Sequence, residues 1–454
     1  MSQEQVSVDV EETGPLDTFR QFFALERDVL VLSLAMFAFS LGFQMTSRFL
    51  PEYIVALGAS GFVVGLFGTM GNIVSAVFPY PGGAISDRIG SRYALTLFGL
   101  ISTLGFGVWL VAPNLGVVTV AGVTIQPWIW IFVGLLLAQG WKSFGLGATF
   151  AVVKQATDPS RLAAGFASTE TFRRTAFLIG PVLAAVLIGF HPDFTVSFQY
   201  VLAVAVVFGI VGTVAQHALY DASEDSIGDS FEGIDQIRRD LREMPEPLRP
   251  LLVGDTLVRF ANGMVYVFFV LVITQFYQVG FETTVSLAGF SYAIDLSPEA
   301  FFGYLLGVEM LVALISMAPA AKAAERVGLK PVVALGFAVY ALFPVVLISG
   351  PEVLAPAMPL SWVMILIFAF SGLRFAGLPS HKALIVGPAE QGAGGRVTGT
   401  YYLLRNTIVI PSAALGGYLW EFVSPEIAFT IAAVIGVVGT GYFLAFGEEF
   451  EAYV

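Results

Sequence analysis

Twelve apolar runs, each near the ~20 residues a helix needs to cross a bilayer, divide the chain. They lie near residues 29–50, 61–84, 93–112, 128–152, 165–189 and 197–219, and again near 250–278, 299–321, 331–350, 361–386, 397–420 and 427–446. The longest polar segment, residues 220–249, carries 9 acidic residues and 4 arginines and separates the two sets of six. It reads as a linker with a surface helix around Ile234–Met244. Residues 15–27 read either as a helix on the membrane surface, with Phe19, Phe22 and Phe23 toward lipid, or as a disordered tail. The acidic start of the chain lacks the charged-then-apolar pattern of a cleaved signal peptide.

The loops orient the spans. No lysine or arginine lies between spans 1–2, 3–4, 5–6, 7–8, 9–10 or 11–12. The alternate loops hold Arg88, Arg92, Lys154, Arg161, Arg238, Arg239, Arg242, Arg249, Lys322, Arg326, Lys330 and Arg396. By the positive-inside rule that second set faces the cytoplasm, together with both termini, in a multi-pass protein of the plasma membrane. An asymmetry this clean supports an even number of spans.

A short charged segment recurs once in each half. Gly83, Asp87, Arg88, Gly90 and Arg92 follow span 2, and Ala321, Glu325, Arg326, Gly328 and Lys330 follow span 8, offset by 238 residues. Gly65 and Pro81 map at the same offset onto Gly303 and Pro319. A signature repeated between hydrophobic spans marks two similar bundles joined in tandem. These residues resemble the loop motif G-x-x-x-D-R/K-x-G-R/K of the major facilitator superfamily (MFS), and the chain is identified as a prokaryotic member. The first copy meets all five positions; the second departs at Ala321 and has Glu325 in place of Asp. The resemblance implies an all-α membrane protein with twelve transmembrane helices in two pseudo-symmetric six-helix bundles. The expected divisions are a tail at 1–28, bundles at 29–219 and 250–446 about the linker at 220–249, and a tail at 447–454. It also implies a gating role for the motif residues. Gly180-Pro181 resembles part of the family's span 5 antiporter motif, although Ala176 and Ala184-Ala185 stand where glycines are usual.

Composition narrows the function. The chain is 56% hydrophobic and 12% charged, against roughly a quarter charged in soluble domains. It has no cysteine, which removes disulfides and thiolate metal sites, and its three histidines argue against a His-rich metal centre. No Gly-rich phosphate loop and no nucleophile–base set is visible, so neither ATP-driven transport nor enzymatic activity is expected. No cofactor and no nucleic-acid partner is expected. The expected partners are a small-molecule substrate, the lipid bilayer and protons as coupling ion, with the chain acting as a monomer. Only 5 of 22 basic residues are lysine, and with the net charge of −12 this hints at a high-salt cytoplasm.

Charges inside spans carry the most functional information, because each is costly in hydrocarbon and must face protein or water. Lys142, Arg173, Arg174, Arg259, Arg374 and Arg405 lie roughly 12–18 Å from the nearer cytoplasmic span ends at ~1.5 Å per residue. An offset of 232 takes Lys142 to Arg374 and Arg173 to Arg405, so the belt follows the repeat. Glu170, Asp255 and Glu309 share its neighbourhood, and Asp255–Arg259 and Glu170–Arg174 are spaced to pair along one helix turn. The resemblance implies that spans 1, 4, 7 and 10 line a central cavity. Lys142, Arg173, Arg259, Arg374 and Arg405 are therefore candidate ligands for an anion, or alternatively braces of the gate. Glu309, with Gly71 at its place in the first half, is the candidate proton site; the competing reading is a permanent bridge to Arg173 or Arg174. Gln139, Trp141 and Tyr266 read chiefly as packing, Arg48 as a snorkelling residue at the outer end of span 1, and His381-Lys382 as the cytoplasmic end of span 10. Gly61, Gly65, Gly68 and Gly71 read as a close helix-packing face.

The expected function is proton-coupled transport of an organic anion or amphipathic small molecule by alternating access. The alternatives are a multidrug or sugar-like facilitator in which the arginines only gate, and a non-transporting membrane sensor.

Overall fold

In a computed structural model of the chain, the described residues are 27–78, 85, 88–120, 123–141, 162–220, 242, 244–287, 290–386 and 394–449. Lys142, Gly83, Asp87, all of the helix expected around Ile234–Met244 except residues 242 and 244, and the segment 15–26 lie outside them, as do the side chains of Glu170 and Arg173.

Each of the twelve apolar runs meets helix among the described residues. The first six are α1 (Arg27–Thr46) with α2 (Leu50–Ala56), then α3 (Gly61–Val77), α4 (Ser91–Val111), α5 (Ile129–Gln139), α6 (Leu162–Ile188) and α7 (Phe194–Leu219). In the second set, α8 (Leu248–Val265) runs on through a tight turn at Tyr266–Phe268 to a π-turn at Val272–Phe276. It is followed by α9 (Pro298–Val327), α10 (Leu329–Leu354), α11 (Leu360–Gly372) with α12 (Leu378–Val386), α13 (Gly394–Val409) with α14 (Ser412–Phe422), and α15 (Pro425–Phe446). Seven of these segments are long and apolar enough to cross a membrane whole, and parts of α1, α3, α5 and α6 are shorter apolar helices.

Where a run is split, a local cause is visible. Pro51 at the start of α2 and Pro411 before α14 lack the N–H that would continue a helix from the preceding turn. The loops of spans 3–4 and 7–8, which the sequence distinguished only by their lack of lysine and arginine, form antiparallel hairpins. In one, β1 (Val118–Val120) pairs with β2 (Val123–Ile125); in the other, β3 (Phe281–Leu287) pairs with β4 (Phe290–Leu296). Both are rich in β-branched residues and are joined by Ala-Gly in the sequence. Their apolar alternation is easily read as the fringe of a span. With helices alternating in direction, both hairpins lie on the face opposite the chain ends; the two faces are called the hairpin face and the terminal face.

Small residues seat the two sets of helices against each other, as expected where lipid tails are as apolar as the side chains and close backbone approach drives association. A Cβ on Gly65 would lie 2.6 Å from the Ala413 carbonyl and 2.7 Å from the Gly417 Cα, so α3 and α14 touch backbone to backbone. Gly61 meets Trp420 and Gly68 meets Ala413, but a Cβ on Gly71 would meet nothing within 4 Å. The pair is therefore closed toward the hairpin face and parts toward the terminal face. On the opposite side, Gly303 and Gly307 of α9 lie against Pro181, Ala185 and Val182 of α6. Phe49 packs edge-on against Phe302 at 5.6 Å, joining the first and second sets in one aromatic core.

The repeated motif also has a structural basis. Gly90 (φ +83, ψ 153) and Gly328 (φ +90, ψ 167) adopt the same conformation, one that is essentially restricted to glycine, each immediately before a helix. The two copies thus turn the chain identically. At the second, the N–H groups of Leu329 and Lys330 donate to the two carboxylate oxygens of Glu449 at 2.9 and 2.8 Å, capping α10 with a residue from the C-terminal tail.

Candidate functional site

The site is built where α9 and α11 cross. A side chain on Gly372 would stand 2.5 Å from the carbonyl oxygen of Glu309, so its absence lets the two backbones meet. Immediately after it the chain tightens into the single turn Leu373–Phe375, which carries Arg374. The helix also departs from α geometry at Gly140 in span 4, the residue 232 positions earlier, but in the opposite sense, with α5 giving way to a wider turn. Arg374 donates to Glu309, and Ser371 donates to the same Oε1 at 2.8 Å. Glu309 and Arg374 are only 1% and 3% exposed.

The other carboxylate oxygen of Glu309 takes a hydrogen bond from Arg48, on the first-half segment between α1 and α2, at 3.4 Å. The Arg48 guanidinium lies over the Tyr266 ring at 4.1 Å, and that of Arg374 sits among Phe375, Tyr340 and Phe343 at 4.9–5.3 Å. Nε and Nη1 of Arg374 and Nη1 of Arg48 are buried without a hydrogen-bond partner.

A second cluster surrounds Asp255 on α8, which is fully buried. Arg259 Nε reaches it at 3.1 Å one helical turn away, as the spacing predicts. Arg405 Nη1 and the Tyr401 hydroxyl, both on α13, donate at 3.0 Å, and His381 Nε2 on α12 stands 3.3 Å away. Arg405 also holds the Asn406 side-chain oxygen.

Three adjoining hollows connect the clusters, and Arg259 lies in the wall of each. The hollow of about 290 Å³ lies between Arg48, Asn262, Tyr266, Glu309 and Arg374. The next, about 200 Å³, adds Asn72 and Asn406. The third, about 580 Å³, reaches Ser75 and Gly399 on the side where α3 and α13 have parted. Four arginines and two carboxylates in ion pairs leave a formal surplus of two positive charges here among the described residues. Among the described residues no group of acids and histidines could hold a metal ion.

The sequence profile of the Major Facilitator Superfamily matches residues 32–296, more than half of the chain. The chain belongs to that family. An uncharacterized MFS-type transporter of Mycobacterium tuberculosis strain H37Rv, and its counterpart in strain CDC 1551, are each 29% identical over 196 residues. The match covers 43% of this chain, and it spans less than half (42%) of the length of either relative. Among solved structures, a mutant of the nucleoside transporter NupG superposes with a TM-score of 0.71 at 12% identity, covering 93% of this chain and 100% of that one. A POT family transporter in complex with 5-aminolevulinic acid gives 0.69 at 14% identity, covering 94% and 97%. The peptide transporter POT in complex with sulfate gives 0.66 at 14% identity, covering 95% and 99%. These likenesses establish the MFS fold.

Geometry revises several readings of the sequence. Arg48 does not snorkel to an interface; its side chain is turned inward and pairs with Glu309. Proximity to a predicted span end hid this, because distance along the chain says nothing about which way a side chain faces. The partner of Glu309 is not Arg174, which donates to Met317 Sδ at 3.7 Å, but Arg374 on the crossing helix. His381, four residues before the end of the apolar segment Leu360–Ile385, is 3% exposed and faces Asp255, a contact the sequence did not suggest. Trp141 packs as expected, stacked on Phe39 at 4.6 Å, whereas Tyr266 forms part of the cavity wall.

Proposed function

We propose that this MFS chain is a secondary transporter that moves a polar organic anion by alternating access, coupled to protons. The observation that carries this reading is the pair Arg48 and Arg374. Their guanidinium nitrogens are buried, partly unpartnered and in the wall of one cavity. An unbonded charged donor in a buried site costs several kcal/mol unless something bonds it. A carboxylate or phosphate group matches the planar fork of arginine. The amides of Gln44, Asn72, Asn262 and Asn406 in the same walls suit a polar substrate body better than a lipophilic drug.

The cavity widens toward the terminal face. Taking that face as cytoplasmic from its basic loops, the arrangement corresponds to the inward-facing state. Glu309 supports proton coupling because it bridges Arg48 in the first half and Arg374 in the second, so rocking of the halves must change its partners. The motif residues Asp87, Arg88, Arg92, Glu325, Arg326 and Lys330 are assigned to closing the terminal face, with Gly83, Gly90 and Gly328 shaping their turns. Lys142 and Arg173 are assigned to the same cationic lining through their repeat partners Arg374 and Arg405.

A second reading is favoured at one place. Asp255 already engages Arg259 and Arg405, which supports bracing rather than ligand binding for Arg405.

Thermal unfolding of purified protein against sulfate, 5-aminolevulinic acid, other carboxylates and phosphates, neutral sugars and organic cations tests the assignment. A ligand at 100 times its Kd stabilises by about 2.7 kcal/mol. Stabilisation by anions, lost in Arg374→Met, is expected; stabilisation by sugars or cations alone overturns it.

A further inference from the structure

We propose that Glu52 binds a proton when the hairpin face closes, at a site separate from Glu309. The proposal rests on the alternating-access reading only for its role in a transport cycle; the binding site itself stands on the geometry. Glu52 lies on α2 in the first half and is 8% exposed. Its hydrogen-bonding partners are in the second half, on the π-turn that ends α8. Thr274 Oγ1 is 2.5 Å from Oε2, and Gln275 Nε2 donates at 3.2 Å to both carboxylate oxygens. These contacts bridge the halves on the side where α3 meets α14 and α6 meets α9.

Two observations point to the neutral carboxyl in this closed arrangement. The first is a count of hydrogens. Thr274 Oγ1 is also 3.0 Å from the carbonyl oxygen of Val270, one turn back on its own helix. A hydroxyl has one hydrogen, so it cannot serve both Val270 and Glu52. If Thr274 donates to Val270, the short contact to Oε2 is completed by a hydrogen on Glu52, with Thr274 as acceptor. The second is the absence of a counter-charge. Among the described residues no cation pairs with Glu52, and the charged group that acts on it is another acid, Glu299 at the start of α9. Thr274 and Gln275 are neutral. The adjacent Tyr53 hydroxyl is turned into the first half, where it donates to the Trp109 carbonyl at 3.2 Å. A buried carboxylate without a cation is costly; a carboxyl group with the same neighbours is not.

When the halves separate on this face, Glu52 loses Thr274 and Gln275 and meets water, where it ionises. Closure therefore takes up one proton and opening releases one, and by linkage acid favours the closed face. Atoms balance without a further reactant: the carboxylate gains the proton from solvent and returns it.

The chain has no native cysteine, so a single pair of labels reports the gate. Nitroxides on Ala56→Cys and Gln278→Cys, both exposed near the latch, give the distance across it by pulsed electron resonance in proteoliposomes. Lowering the pH should shift the wild-type population toward the short distance. Glu52→Gln, which carries its hydrogens at every pH, should hold the short distance throughout and lose the response. Thr274→Val should weaken closure at low pH, and in a Glu309→Gln background, which removes the proposed coupling proton, a pH response should remain and Glu52→Gln should abolish it. In that background, a response that survives Glu52→Gln, or no response while Glu52 is intact, overturns the proposal. A pH-responsive gate in a protein that moves no anion would leave this site standing and remove the transport reading instead.

Discussion

Glu309 joins Arg48 to Arg374, two arginines 326 positions apart in the sequence, through its two carboxylate oxygens. One arginine belongs to each half, so the carboxylate is a hinge point of charge as well as a buried ion-pair partner. Removing one member of a buried pair leaves the other charge uncompensated, typically at a cost of about 3–5 kcal/mol. Glu309→Ala should lower thermal stability by that order, and adding an anion that fits the cavity should restore part of it. A loss below about 1 kcal/mol would show that the arginines find other partners.

The same residue tests coupling. In proteoliposomes, Glu309→Gln should abolish uphill accumulation driven by a pH gradient while downhill exchange survives, because glutamine keeps the shape without carrying a proton. Wild-type accumulation in the variant would make Glu309 purely structural.

Asp255 should be more critical than any one of its partners. It engages Arg259, Arg405 and Tyr401, so Asp255→Ala strands two guanidiniums, whereas Arg405→Ala leaves the carboxylate bonded to the others. Melting temperatures should fall further for Asp255→Ala than for Arg405→Ala, and the reverse order would refute the hub arrangement.

Closure of the hairpin face should depend on Gly65 and not on Gly71. A valine at Gly65 has no room against the Ala413 carbonyl and Gly417, so it should wedge α3 from α14 and raise the reactivity of a cysteine placed between them. Gly71→Ala meets open space and should leave that reactivity unchanged.

Glu449 should act as a helix cap from a distance. Glu449→Ala removes the acceptor for two N–H groups at the start of α10, and losses of about 0.5–2 kcal/mol are usual for a cap. An unchanged melting temperature would indicate that water serves those groups equally well.

Much of this protein was legible in the residue order because the bilayer constrains sequence directly. A segment that crosses lipid must be apolar for about 20 residues and must satisfy its backbone internally, so the spans and the helical class follow from composition along the chain. The repeat was legible for a related reason: Gly90 and Gly328 perform the same backbone turn, which only glycine adopts without strain. The Asp255–Arg259 pair was legible because it is one helical turn long. What the sequence could not decide was which side chains from different helices share a space. Arg48 and His381 sit near predicted span ends, and their depth depends on where α1 stops, how α2 is set against α8, and how α11 breaks at Gly372. For Glu309 the sequence offered Arg173 or Arg174 of span 5, and only the crossing of α9 with α11 selects Arg374. The latch at Glu52 was invisible for the same reason: its meaning lies in a threonine and a glutamine more than two hundred residues away, brought into hydrogen-bonding range by the packing of the two halves.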